Sequence, residues 1–226
     1  MDHKKWVKVL TVVGYVLAVI GFLYYIEQVL LLPYVVKTLI KLPFFTIFPW
    51  LLLKYQLDVR VQLVLKKKDR VPMLLVCSVV VIAILGGLFL VRTWIDVSAI
   101  SGDISTRMKV SPQLLLLAAL YTTFINSFIE EFFFRGLLFL GLKGSGMKTI
   151  AYIASAFFFA LYHVTIFMTW FTWPLMLLAL FGLFVGGLIF AWFAHRTESL
   201  LGSWLIHTTA DAAIMVIGLL LLDIGL

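Results

Sequence analysis

Charge is scarce in this sequence. Asp, Glu, Lys and Arg make up 13% of its 226 residues, against about 25% in soluble domains, while 63% are hydrophobic. So few charges cannot cover a water-facing surface, which excludes an ordinary soluble domain. Cysteine is scarcer still. Cys77 stands alone, so neither an intrachain disulfide nor a cysteine-based metal site is available. Internal repeats and low-complexity tracts are absent as well. A basic face for nucleic acid is also missing. The net charge is +7, but the basic residues sit in short segments between apolar runs, where orientation signals lie. No nucleic-acid partner is expected; the bilayer is.

What the chain has instead is long apolar runs. They predict an all-α, polytopic transmembrane helical bundle of about seven spans, within a range of six to eight. The spans fall near Trp6–Ile26, Val29–Leu53, Pro72–Val91, Leu114–Leu140, Met147–Phe167, Trp170–Phe193 and Ser199–Leu222. The apolar run Val9–Ile26 is too long for a signal-peptide core and no small-residue cleavage site follows, so it is expected to stay as the first span. The second holds Pro33, Pro43 and Pro49 with Lys37 and Lys41, which predicts a kinked, re-entrant or interfacial segment.

Twelve basic residues, among them Lys4, Lys5, Lys54, Lys66, Lys143 and Arg196, fall on one side of the seven-span order. The other side has only Arg92, Arg107 and Lys109. This bias sets the N-terminus in the cytosol. The basic stretch Lys54–Arg70 is expected to lie as an amphipathic segment on the membrane surface. The outer loop Arg92–Gln113 need not carry chemistry. Gly182 and Gly186, with Gly187 beside them, are expected to pack helices closely within one molecule. No oligomeric state follows.

The informative residues are those that cost free energy inside a bilayer. An ionised side chain at mid-membrane costs roughly 2.5–3.5 kcal/mol on insertion scales. Glu130, Glu131 and Arg135 sit in the fourth span, His163 in the fifth, His207 and Asp211 in the seventh. Glu131 and Arg135 are four apart and share a face, so they are expected to pair. Glu130 lies about 100° around the helix, in one stripe with Asn126 and Thr122. Both glutamates serving one arginine is the structural alternative. Ser203, His207 and Asp211 recur every four residues; an imidazole and a carboxyl group so placed can ligate a metal, flank one substrate atom or form a plain ion pair. Buried charges in three spans are expected to converge on one wet cavity, with general acid–base chemistry on water as its capability. The heights disagree, however. Counted from the inner span ends, Glu130 is about 15 Å deep, His207 about 12 Å and His163 about 24 Å. Agreement requires the fifth helix to project beyond the membrane, with its buried part starting near Tyr152 after the hairpin Gly141–Gly146.

Glu130-Glu131-x-x-x-Arg135, Phe159-x-x-x-His163 and His207-x-x-x-Asp211, in this order, resemble the motifs of the CaaX protease and bacteriocin-processing (Abi) family of intramembrane proteases. The likeness covers roughly Leu114–Leu222. It implies a catalytic core over 114–226 behind a variable transmembrane region, 1–113. It also implies a glutamate-dependent or metal-dependent peptidase with its cavity open to the cytosol, in a cell membrane expected to be prokaryotic. Glu130 with His163 would activate water. His207 and Asp211 would stabilise the oxyanion or ligate a metal, with Glu131, Arg135 and Phe159 in support. Two His and two or three carboxylates suit zinc or another divalent ion, and Asp211 where the family also has Asn favours a ligand, yet a metal-free route is open. The implied partner is a peptide or protein with a hydrophobic or membrane-bound segment. A non-catalytic immunity factor or scaffold of the same fold, and an ion-coupled transporter, are the competing classes.

Overall fold

A computed structural model describes residues 3–221. Seven helices are long and apolar enough to cross a membrane: α1 (His3–Val29), α2 (Tyr34–Leu57), α3 (Lys67–Trp94), α5 (Gln113–Gly144), α6 (Lys148–Phe167), α7 (Trp173–Thr197) and α8 (Leu200–Leu221). A short helix, α4 (Val97–Thr106), lies between α3 and α5. No strand occurs among the described residues. The expected end of the last span, Leu222, lies outside them.

Local sequence explains the starts and breaks. Pro174 stands in the first turn of α7, where a missing N–H leaves no bond unmade. Asp96 caps α4 by accepting the Ala99 N–H at 3.0 Å. The second span is full length and kinked. Pro43 and Pro49 remove two N–H donors, and the helix breaks at Thr46, whose φ and ψ are −125° and −65°.

α5 is the centre of the bundle, touching α1, α6, α7 and α8. Its Phe133, Phe134, Leu137 and Leu138 are wholly buried against the Val9, Val12, Val16 and Val19 stripe of α1 and against Phe159 of α6. α3 is the opposite case: Asp69 is its one fully buried residue. Met73, Val76, Cys77 and Val80 pack partly buried against the core, and Leu74, Leu75, Val79, Ile82 and Phe89 face outward as a lipid-facing helix requires. The loops sort to two ends. At one, Lys143 pairs with Glu198 and Gly146 lies beside Lys5. At the other, Arg107 of the α4–α5 loop binds Glu27 of α1 at 2.8 Å and both oxygens of Asp103 at 2.7 Å. Trp170 donates to the same Asp103 at 2.7 Å.

Two expectations need correction. Lys54–Arg70 is not one continuous amphipathic segment. Leu53–Leu57 closes α2, Asp58–Lys66 is a non-helical strap, and Lys67 begins α3. The strap is held because the first N–H groups of α8 need acceptors. The Gln62 carbonyl accepts from Leu200 N–H at 2.9 Å, and Ser199 Oγ donates to that carbonyl at 3.0 Å while accepting from Val64 N–H at 2.9 Å. Gly182 and Gly186 do not mediate close packing either: a Cβ on either meets nothing within 4 Å. Gly187 does, its notional Cβ falling 2.9 Å from Ala156 Cα. Spacing names a face but not the neighbour it finds.

Candidate active site

Glu130 and Glu131 sit on Ser127–Glu131, a five-residue α-helical stretch between two π-helical stretches of α5, Tyr121–Asn126 and Phe132–Leu140. Such widened turns are frequent at functional sites, where they re-aim side chains. The expected conflict of heights dissolves. α5 continues to Gly144 rather than ending at Leu140, so Glu130 lies 14 residues before the hairpin (144 − 130) and His163 lies 15 after it (163 − 148). The two meet at one level without α6 starting near Tyr152.

The structure brings Glu130, Glu131, His163, His207 and Asp211 together. Glu130 Oε2 is 4.0 Å from Nε2 of His163 and 4.0 Å from Nε2 of His207. The His207 Nε2 is also 3.6 Å from Asp211 Oδ1. Each imidazole is turned by its other nitrogen. His163 Nδ1 lies 2.7 Å from the Phe159 carbonyl and His207 Nδ1 lies 3.0 Å from Glu131 Oε1. Both partners accept, so each Nδ1 carries a hydrogen, and each ring turns its Nε2 to the cluster.

Beneath lies the expected ion pair. Arg135 Nη1 is 2.9 Å from Glu131 Oε1, in contact but with no N–H aligned for a hydrogen bond. The guanidinium is wholly buried between the rings of Phe159 and Phe190, at 4.3 and 4.9 Å, and donates to the Gly187 carbonyl at 3.3 Å. The same rings flank His207, Phe190 stacked at 4.9 Å and Phe159 edge-on at 5.4 Å. Phe159 thus braces Arg135 and both histidines.

Sequence reasoning missed Lys41. Its Nζ is 2.9 Å from Glu130 Oε1, 2.7 Å from Asn126 Oδ1 and 2.7 Å from Tyr162 OH. A lysine in an apolar run is itself a costly group, and that signal was legible. It was spent on doubting whether the span crosses.

As arranged, the donors do not fit a divalent metal. Among the described residues no three His, Cys, Asp or Glu side chains stand at metal-binding spacing. Ligands of a tetrahedral zinc ion are about 3.3 Å apart, shorter than the 4.0 Å from Glu130 Oε2 to each Nε2. An ammonium group also sits on the same carboxylate.

Comparison with known proteins bears on the same residues. Residues 112–213 match the family described as type II CAAX prenyl endopeptidase Rce1-like. Over them, less than half of its length, the chain is similar to the CAAX protease and bacteriocin-processing family. No curated protein and no solved structure gives a match. That likeness, with seven apolar helices, supports an integral membrane protein and, at the level of the family, an intramembrane CAAX-type protease. The matched segment contains Glu130, Glu131, Arg135, Phe159, His163, His207 and Asp211, whereas Lys41 precedes it.

Proposed function

We propose that Glu130, His163, His207 and Asp211 form the active site of an endopeptidase that hydrolyses a peptide bond in a membrane-associated protein or peptide. The observation that carries this reading is the pair of 4.0 Å separations from one carboxylate oxygen to two inward-facing imidazole nitrogens. Such a gap is too long for a direct hydrogen bond and short enough for one water to touch both groups. Glu130 takes a proton from that water as its oxygen attacks the peptide carbonyl carbon, and His163 Nε2 accepts the second hydrogen and aims it. The carbonyl oxygen becomes an oxyanion beside His207, whose imidazolium form donates from Nε2. Asp211 and Glu131 balance that charge, and Arg135 balances Glu131. When the C–N bond breaks, the proton held by Glu130 passes to the leaving amine. The second water proton leaves the new carboxyl group through His163 to solvent, so the products are a carboxylate, a free amine and one proton.

No step here runs through a metal. The turned-out Nε2 atoms are also how zinc ligands are presented, so the test includes the metal. We assign the end bearing Lys5, Lys54 and Lys143 to the cytosol, on the bias of basic residues. The experiment is cleavage of a membrane-tethered fluorogenic peptide by purified protein, with metal analysis and a chelator arm. Glu130→Gln and His163→Ala are expected to stay folded and lose cleavage at least about a hundredfold, the lower range for a general base. Cleavage should persist in chelator. Full activity in both variants removes the proposal, and a functional rescue by Glu130→Gln would favour a non-catalytic role.

A further inference from the structure

We propose that Lys41 is a positioning residue for the Glu130 carboxylate: it holds Oε1 so that Oε2 faces the two histidines. The inference rests on the reading of Glu130 as the base. It brings α2, which lies before the family-matched segment, into the active site.

The bonding of Lys41 is complete. An ammonium has three N–H donors, and three acceptors meet it: Glu130 Oε1, Asn126 Oδ1 and Tyr162 OH, all at 2.7–2.9 Å. Its charge lies 4.6 Å from the Phe45 ring centre and 4.7 Å from that of Tyr162, which line its stem. No donor is left over, so Lys41 is not a nucleophile or a proton carrier in this arrangement. It is a clamp.

Glu130 Oε1 receives a second donor, the Asn126 Nδ2–H at 2.7 Å. The amide therefore gives to the carboxylate and accepts from the lysine, closing a ring of three hydrogen bonds that permits one amide orientation. This matters because the terminal torsion of a glutamate is soft. With two donors on Oε1 the carboxylate cannot pivot, and Oε2 is left for His163 and His207. A lysine present only to neutralise buried charge needs no such ring. Lys37, one turn earlier, shows the contrast: it pairs with Glu27 at the far end and touches no residue of the cluster.

The test uses the full chain in detergent and compares Glu130→Ala, Lys41→Met and Lys41→Arg in the cleavage assay. Methionine keeps the unbranched stem between the rings and removes the donors. Folded Lys41→Met, judged by size-exclusion profile and helical circular dichroism, should lose kcat about a hundredfold, as misplacement of a reacting group by about 1 Å does. KM should stay within about twofold, and Lys41→Arg should regain part of kcat. A merely structural lysine predicts no such split. Should Lys41→Met fail to fold, Asn126→Ala decides, since it opens the ring and leaves every charge in place; a kcat loss of about tenfold is expected. Unchanged kcat in folded Lys41→Met, or in Asn126→Ala, overturns the inference. Cleavage by Glu130→Ala would instead overturn the reading of the site. An inactive Glu130→Ala beside a fully active Lys41→Met removes only the role of Lys41.

Discussion

Replacing Arg135 by methionine tests the arrangement beneath the cluster without touching the proposed water. Arg135 and Glu131 are each 0% exposed, and Glu131 Oε2 already lacks a hydrogen-bond partner. Once the guanidinium is gone, Glu131 Oε1 keeps only His207 Nδ1. Breaking a buried pair by removing one partner costs about 3–5 kcal/mol, because the remaining charge is uncompensated. The lost cation–π contacts add up to about 2 kcal/mol. Methionine sulfur against Phe159 and Phe190 returns about 0.3–1.5 kcal/mol of that. The net expectation is about 3–5 kcal/mol. At about 2–4 °C per kcal/mol for a chain of this size, the unfolding midpoint should fall by about 6–20 °C. Cys77 offers the assay. It is the one cysteine, half-buried on α3 beside Thr209 of α8, and a thiol-reactive fluorophore reports its exposure on heating in detergent. The double variant Glu131→Gln with Arg135→Met has no stranded charge and should recover more than half of the loss. A single variant falling by less than about 3 °C, or a double variant no better than the single, refutes the reasoning.

The glycines of α7 should separate by neighbour. Gly187→Ala drives a Cβ to 2.9 Å from Ala156 backbone and should destabilise by about 1–3 kcal/mol, whereas Gly186→Ala meets nothing and should be neutral or stabilising by up to about 1 kcal/mol; equal midpoints refute this. Burial raises the Asp103 carboxyl, but bonds from Arg107, Trp170 and Thr169 outweigh it and hold it below the usual carboxylate range. A depressed folded value means stability present above the unfolded value of about 3.9 and lost as pH falls through the folded one. Acid below about pH 4 should therefore release Trp170 and alter its fluorescence, and Asp103→Asn should abolish that acid step; an identical transition in the variant counts against the Asp103 anchor.

Much of this was legible in the sequence for a simple reason. Lipid demands long apolar helices, so hydropathy places the spans to within a few residues, and any charge inside them must find a partner. Glu130, Glu131, Arg135, His163, His207 and Asp211 declared themselves that way. Lys41 carried the same signal, but three prolines in its span offered a competing explanation. The π-helical turns of α5 have no signature in local propensity, because the same residues form an α-helix equally well. The strap was hidden for another reason: its basic residues fit a membrane surface, while its hydrogen bonds depend on where α8 begins.

That strap ties the beginning of the sequence to its end. The residues covered by the family match run from 112 to 213, yet the helix that presents His207 has its first amide, Leu200 N–H, closed by the Gln62 carbonyl, far upstream. A fragment trimmed to the recognisable motifs would lose that acceptor and leave a buried amide unmet, at about 1–3 kcal/mol. Recognition and packing thus have different borders here.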